Sequence, residues 1–194
     1  AGSVFLISCD LVAISEDLLE AVRAHLRISL PEFPSEGVIM NATHTHTAPN
    51  CRVTPRYTKN KTASKPYGGL ELDAMSPAEY VAFASERIAN AALDAWNKRE
   101  ASGIAYGLGH TVVGRNRLIS YYSGKSVMYG STSNSDFSHV EGYEDHSLNL
   151  FASYDSNKKL SGMVINIACP TQSYEHGWEI SADYWNNIRI MIKE

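Results

Sequence analysis

The sequence is poor in cysteine. Three cysteines in 194 residues cannot all pair, so a disulfide scaffold is excluded. Cys9 and Cys169 lie inside apolar, strand-like runs, where a thiol behaves as a small hydrophobic group. We therefore expect these two cysteines and Cys51 to be free, buried thiols.

Long apolar runs and basic clusters are missing as well. No run approaches the roughly 18 to 20 apolar residues of a membrane-spanning helix, and the N-terminus lacks the pattern of a signal peptide. The 17 lysines and arginines are scattered and the formal net charge is -4. Neither nucleic acid nor an anionic membrane surface is an expected partner. With 44% hydrophobic residues, the composition is that of a globular domain or part of one.

The apolar patterns that are present alternate between strand and helix types. Together they predict an α/β fold, with a mixed β-sheet flanked by helices. Strands are predicted at residues 4–14, 37–43, 104–114, 118–122, 148–154 and 160–169, the last two as a hairpin. Helices are predicted from 16 to about 30, from 77 to about 99, and from 184 onward. A first strand without a lead-in and a last helix without a C-cap predict a fragment, incomplete at both ends.

Capping signals and one long polar segment punctuate these elements. Ser15 is a predicted N-cap, and the segment Ser181-Ala182-Asp183 is predicted to cap the last helix. Ser76-Pro77-Ala78-Glu79 combines an N-cap, a proline at the first helical position and a capping-box glutamate. Residues 47–75 are rich in proline, glycine and polar residues and predict a long loop. Long loops in compact domains are often functional.

Two histidines stand two residues apart in Thr43-His44-Thr45-His46-Thr47, after a predicted buried strand. Residues two apart on extended backbone face one side, with Cα atoms about 7 Å apart. Two imidazoles on one face suit zinc or another borderline metal. Since α/β active sites gather at the carboxyl ends of strands, we predict that the pair marks the edge of a metallohydrolase-type active site. A polar strand end is the other interpretation.

Two more segments carry reactive side chains. Gly114-Arg115-Asn116-Arg117 places two guanidinium groups after a strand, where they could bind a carboxylate or a developing oxyanion, or simply form a surface turn. Residues 168–173 follow another buried strand. Within them Cys169 could act as a nucleophile with a histidine base, although a strand end followed by a turn accounts for the same residues.

Taken in order, four segments resemble the neutral, non-lysosomal ceramidase family: residues 41–49, 114–117, 142–145 and 180–183. The similarity extends from Val4 to about Ile188. It implies that residues 1–194 are an N-terminal catalytic region of mixed α/β fold, which a β-sandwich follows in the family. It also implies hydrolysis of the amide of N-acyl sphingoid bases with one zinc ion, and a secreted or periplasmic location.

The resemblance implies roles for three residues. His44 would be a zinc ligand, His46 would position or stabilise the reacting oxygen, and Arg117 would contact the substrate or the transition state. Pro170 stands where the family has its second zinc-binding histidine. The nearest substitutes are Gln172, Glu175 and His176, and the remaining family ligands, a glutamate and a tyrosine, come from a later segment.

We therefore predict a zinc-dependent, ceramidase-like hydrolase of a small-molecule or lipid amide, of which this chain holds part of the active site. A non-catalytic relative is the alternative. Such a protein would keep the fold and the histidine pair in order to bind a ligand. The metal content of the intact protein distinguishes the two hypotheses.

Overall fold

A computed structural model describes residues 2–53, 73–175 and 177–194. The chain divides into two compact units, Ala1–Arg99 with Thr171–Glu194, and Glu100–Pro170. Helices and strands both occur, so the predicted α/β class is confirmed. In the part of the chain that the structure describes, no helix is long and apolar enough to cross a membrane.

The first unit is a short parallel strand pair with helices packed around it. Its elements are β1 (Phe5–Cys9), α1 (Glu16–Ser29), β2 (Val38–Ala42), α2 (Pro77–Asn97) and a C-terminal helix, α3 (Tyr184–Lys193). β1 pairs with β2 in parallel, from Phe5 opposite Val38 to Cys9 opposite Ala42. The parallel pairing requires a crossover, and α1 provides it.

Apolar side chains of the two long helices form the core of this unit. Leu18, Val22 and Leu26 lie three and four positions apart on α1 and are buried, as an amphipathic helix facing a core requires. Small residues of α2 pack in the same cluster, among them Ala84, Ala89 and Ala92. The core is therefore built from the helical stripes that the sequence shows.

The predicted helix starts are confirmed. Ser15 caps α1 by accepting a hydrogen bond from the Leu18 N–H. Ser76 and Glu79 form the complete capping box at the start of α2. Asp183 caps α3 through its carboxylate, with a backbone φ of 52°. The predicted loop is irregular over residues 47–53 and 73–76, and residues 54–72 lie outside the described part.

The predicted first strand is wrong over residues 10–14. The strand stops at Cys9, because the chain turns there and the Leu11 N–H donates to the Cys9 carbonyl at 2.9 Å. The carboxylate of Asp10 then binds Arg189 instead of facing a sheet neighbour. An apolar run alone could not show this turn, since the residues that follow are also apolar.

The second unit is built from two antiparallel sheets. Its strands are β3 (Gly103–His110), β4 (Leu118–Tyr121), β5 (Ser126–Met128), β6 (Phe137–Val140), β7 (Ser147–Tyr154) and β8 (Leu160–Ile167). One sheet has the order β3-β7-β8 and the other β5-β4-β6. The predicted β7–β8 hairpin is confirmed. The short strands β5 and β6 were not predicted from the sequence.

Candidate active site

The two histidines lie just beyond the end of β2, and their rings are together. The ring centroids are 4.8 Å apart, and the two Nε2 atoms are 3.2 Å apart. The spacing argument assumed extended backbone, and this assumption is wrong at His44, which has a φ of 68°. A histidine in the left-handed region is uncommon and carries a conformational cost that surrounding contacts must offset.

Threonine contacts hold this segment in place. Thr45 is fully buried and its hydroxyl donates to the Ser181 carbonyl at 2.8 Å. Thr47 is also buried, and its carbonyl accepts from the Ser181 N–H at 2.9 Å. The Thr171 hydroxyl donates to the carbonyl of Thr43. The threonines therefore anchor the segment while the histidines between them stay accessible.

Each imidazole is oriented by an oxygen acceptor at Nδ1. The Nδ1 of His44 lies 2.7 Å from the Val12 carbonyl oxygen, and the Nδ1 of His46 lies 3.2 Å from Oε1 of Glu175. A carbonyl and a carboxylate can only accept, so Nδ1 is the donor in both rings. In the neutral form of each ring, Nε2 then carries a lone pair.

Two lone pairs that face each other at 3.2 Å repel unless a proton or a cation lies between them. Two imidazole nitrogens bound to one tetrahedral zinc at roughly 2.1 Å would be about 3.4 Å apart. The distance and the chemistry of His44 and His46 therefore fit part of a zinc site. Among residues 2–53, 73–175 and 177–194, no group of three or more His, Cys, Asp or Glu side chains is arranged to hold a metal.

The residues that follow Pro170 come to the same place. The amide nitrogen of Gln172 lies 3.1 Å from Nε2 of His46 and donates to Oε1 of Glu175 at 3.1 Å. Glu175 faces Nδ1 of His46 rather than Nε2. As placed, Glu175 is a group that orients the ring and not a replacement ligand. His176, the third substitute considered, lies outside the described residues.

An ion pair that the sequence analysis missed supports the strand end. Arg189 of α3 donates from both terminal nitrogens to Asp10, at 2.6 and 2.8 Å. The Thr43 hydroxyl donates to the same carboxylate at 3.1 Å. The hydrogen bond with Asp10 raises the pKa of Arg189 further above its ordinary value. The pair was not visible in the sequence because its members are 179 residues apart.

A cavity of about 560 Å³ opens beside the anchoring Ser181. Residues 173–174, 180–184 and 186–187 line it. Its wall includes the exposed side chains of Tyr174 and Ile180. These two side chains give the lining apolar as well as polar parts. This arrangement offers room for a small ligand next to the segment that anchors the histidines.

The Arg-Asn-Arg segment lies in the second unit. Arg117 donates to the Tyr129 hydroxyl at 2.6 Å, and its guanidinium carbon lies 5.1 Å from the centre of that ring. The side-chain amide of Asn116 donates to the carbonyls of Glu141 and Tyr143, at 2.9 and 3.0 Å. Residues 114–117 and 142–145 are therefore in contact. A role for Arg117 with substrate stays a prediction.

Cys9, Cys51 and Cys169 form no disulfide bonds with one another. Cys51 is buried, whereas Cys9 and Cys169 are half-buried, so the expectation of burial is met fully only at Cys51. The thiol of Cys169 lies 3.6 Å from the carbonyl oxygens of Val113 and Pro170.

Comparison with solved structures finds ceramidases. A ceramidase complexed with C2 is 19% identical with a TM-score of 0.63, over 93% of this chain and 25% of that chain. The neutral ceramidase from Pseudomonas aeruginosa is 20% identical with a TM-score of 0.62, over 93% of this chain and 26% of that chain. No protein-family model and no curated protein matches the sequence. The chain thus has the fold of part of a neutral ceramidase, and it spans about a quarter of each.

Proposed function

We propose that this chain forms part of the active site of a zinc-dependent, ceramidase-like hydrolase that cleaves the amide bond of an N-acyl substrate. The observation that carries the proposal is the 3.2 Å distance between Nε2 of His44 and Nε2 of His46. Neither nitrogen carries a proton in the neutral ring, because the other nitrogen of each ring donates to an oxygen, and the Gln172 amide nitrogen also lies 3.1 Å from Nε2 of His46. The fold adds support, since the solved structures that share it are ceramidases.

Within this proposal His44 binds zinc through Nε2. His46 lies beside it and positions or stabilises the reacting oxygen, as the family resemblance implies. Zinc in such a site supplies Lewis acidity, which polarises an amide carbonyl and lowers the pKa of a water molecule. The resemblance places the remaining ligands, a glutamate and a tyrosine, in a later segment of the family.

The substrate class also comes from the resemblance. An N-acyl sphingoid base is the proposed substrate, and Arg117 is the proposed contact for its reacting carbonyl. A guanidinium group is suited to this role because it stays charged and offers fixed donors to a developing oxyanion. A secreted or periplasmic location is part of the same proposal.

The test uses the full-length protein and a fluorescent short-chain N-acyl sphingosine. We expect hydrolysis that chelation abolishes and zinc restores, and we expect His44→Ala to lower the rate more than about 100-fold, since a direct ligand matters at least as much as its supporting partners. His25→Ala, at an exposed position of α1, should leave the rate unchanged. Hydrolysis that persists at the normal rate in His44→Ala, or after chelation, would contradict the proposal.

A non-catalytic, ligand-binding relative is the second candidate. It is favoured by Pro170, which stands where the family has a zinc-binding histidine and which offers no side-chain ligand. Under this alternative the full-length protein would hold no zinc and would cleave no amide. Metal content and activity together therefore separate the two candidates.

A further inference from the structure

We propose that Glu175 is a positioning residue that holds the His46 ring with Nε2 unprotonated and 3.2 Å from Nε2 of His44. This inference rests on the proposed function for the identity of the metal. The position of Glu175 beside His46 is an observation that does not depend on the proposed function. Oε1 of Glu175 lies 3.2 Å from Nδ1 of His46. Since a carboxylate accepts, the contact places the proton of the neutral ring on Nδ1.

The two histidines have the proton on Nδ1 in both cases, but they donate it to different kinds of acceptor. His44 donates to the backbone carbonyl of Val12 at 2.7 Å, so no substitution can remove its acceptor. His46 donates to a side chain. The orientation of His46 is therefore the one that mutation can test.

Gln172 completes the arrangement. Its amide nitrogen donates to the same Oε1 of Glu175 at 3.1 Å and lies 3.1 Å from Nε2 of His46. An amide N–H next to Nε2 is compatible with a lone pair there and not with a proton. Both neighbours of the ring thus favour the same tautomer of His46.

The backbone around Glu175 is fixed on one side by two contacts. Thr171 is fully buried, and its hydroxyl donates to the Thr43 carbonyl. The Tyr174 N–H donates to the carboxylate of Asp183 at 2.8 Å. Glu175 follows directly, and its side chain is 33% exposed while that of His46 is 28% exposed. The contact is partly shielded from water, so it is stronger than a fully exposed pair would be.

His46 lies beside the proposed zinc ligand His44, and losing a group that orients the surroundings of a metal site commonly lowers metal affinity about 10- to 100-fold. We expect Glu175→Ala to lower zinc affinity by this factor. Glu175→Gln keeps a carbonyl oxygen that can accept from Nδ1, so its loss should be smaller. Glu179→Ala is the matched control, because Glu179 lies four residues further on and binds the Tyr174 hydroxyl instead.

The experiment has two readouts on the 194-residue chain. The first is ¹⁵N NMR of labelled histidine in the metal-free chain at about pH 8, well above the ordinary imidazole pKa. We expect the His46 proton on Nδ1 in the wild type and in Glu179→Ala, and a population with the proton on Nε2 in Glu175→Ala. The second is zinc affinity by competition with a chromophoric chelator, with circular dichroism to confirm folding.

Two results would overturn the inference. One is a wild-type His46 with its proton on Nε2. The other is a Glu175→Ala variant with an unchanged tautomer and a zinc affinity within about twofold of the wild type. A full-length protein that holds no zinc would contradict the proposed function, whereas the tautomer of His46 in the 194-residue chain decides the role of Glu175 in either case. The two failures are therefore distinguishable.

Discussion

Nε2 of His44 and Nε2 of His46 lie 3.2 Å apart, at the end of a parallel strand. Nδ1 of His44 donates to the Val12 carbonyl, and Nδ1 of His46 donates to the Glu175 carboxylate. Two unprotonated nitrogens at this distance repel each other unless a proton or a cation lies between them. This requirement is the physical basis for a metal site here.

The buried Thr45 hydroxyl should stabilise the segment that carries the histidines. Thr45→Val keeps the shape but removes the donor to the Ser181 carbonyl. The Thr47 hydroxyl still donates to that carbonyl at 3.3 Å, so the change removes one hydrogen bond to this acceptor, and we expect the free energy of unfolding to fall by about 0.5 to 1.5 kcal/mol in denaturant titrations. Thr132→Val, at an exposed position, is the control. Equal stability of the two variants would refute the anchoring role.

Gly114 precedes the first arginine of the Arg-Asn-Arg segment and should tolerate no side chain. A Cβ there would lie 2.5 Å from the Ala168 carbonyl oxygen, a backbone atom that cannot rotate away. Gly114→Ala should therefore cost about 1 to 3 kcal/mol. In Gly107→Ala the new Cβ would lie 3.7 Å from Cβ of Leu150, and the change should stay within about 0.5 kcal/mol. Denaturant unfolding of both variants gives the comparison, and equal losses would contradict this account.

The stability of the fold should decline in alkali because of Cys9. Burial, with smaller effects from the Asp10 and Cys51 charges, raises the pKa of the Cys9 thiol to about 11. A group whose pKa is higher in the folded chain stabilises it below the unfolded pKa, near 8.5. That contribution is lost as the pH rises through the folded value.

We expect the free energy of unfolding to fall by about 1 to 2 kcal/mol between pH 9 and 11 through this thiol, after allowance for its partial exposure. Tyr80, whose pKa burial also raises, acts in the same direction, so the wild type must be compared with Cys9→Ala. The difference between the two unfolding free energies should narrow above pH 9. A difference that does not vary with pH would show that Cys9 does not contribute.

Arg117 is the substrate contact that the family resemblance implies, and its substitution tests that role. If it stabilises a developing oxyanion, Arg117→Ala should lower kcat for amide hydrolysis by about 100- to 1000-fold. Arg115→Ala is the matched control in the same segment, since the Arg115 side chain is 74% exposed and pairs with Glu144 at 3.5 Å. Rates that are equal in the two variants would show that Arg117 has no special role.

Local signals in the sequence predicted much of the fold. Caps such as Ser15 and Ser76 mark helix starts because their bonds join residues three apart, and the stripe of α1 is likewise local. The turn that ends β1 at Cys9 and the ion pair between Asp10 and Arg189 were missed. Contacts between distant residues leave no periodic signal.

The candidate site was also predicted only in part. The His44 and His46 pair was visible as a motif, but the left-handed backbone of His44 was not. Glu175 was noted only as a substitute ligand. Its position at Nδ1 of His46 depends on where residues 171–175 pack, and one sequence does not contain that information.

The most direct test of the central claim is the zinc content of the full-length protein and its His44→Ala variant, after dialysis against a weak chelator. We predict one tightly held zinc per wild-type chain and none in the variant. The isolated 194-residue chain, with Pro170 at a family ligand position, should hold zinc weakly or not at all, because each missing ligand lowers affinity. A His44→Ala protein that keeps one zinc per chain would contradict the assignment of the histidine pair as the metal site.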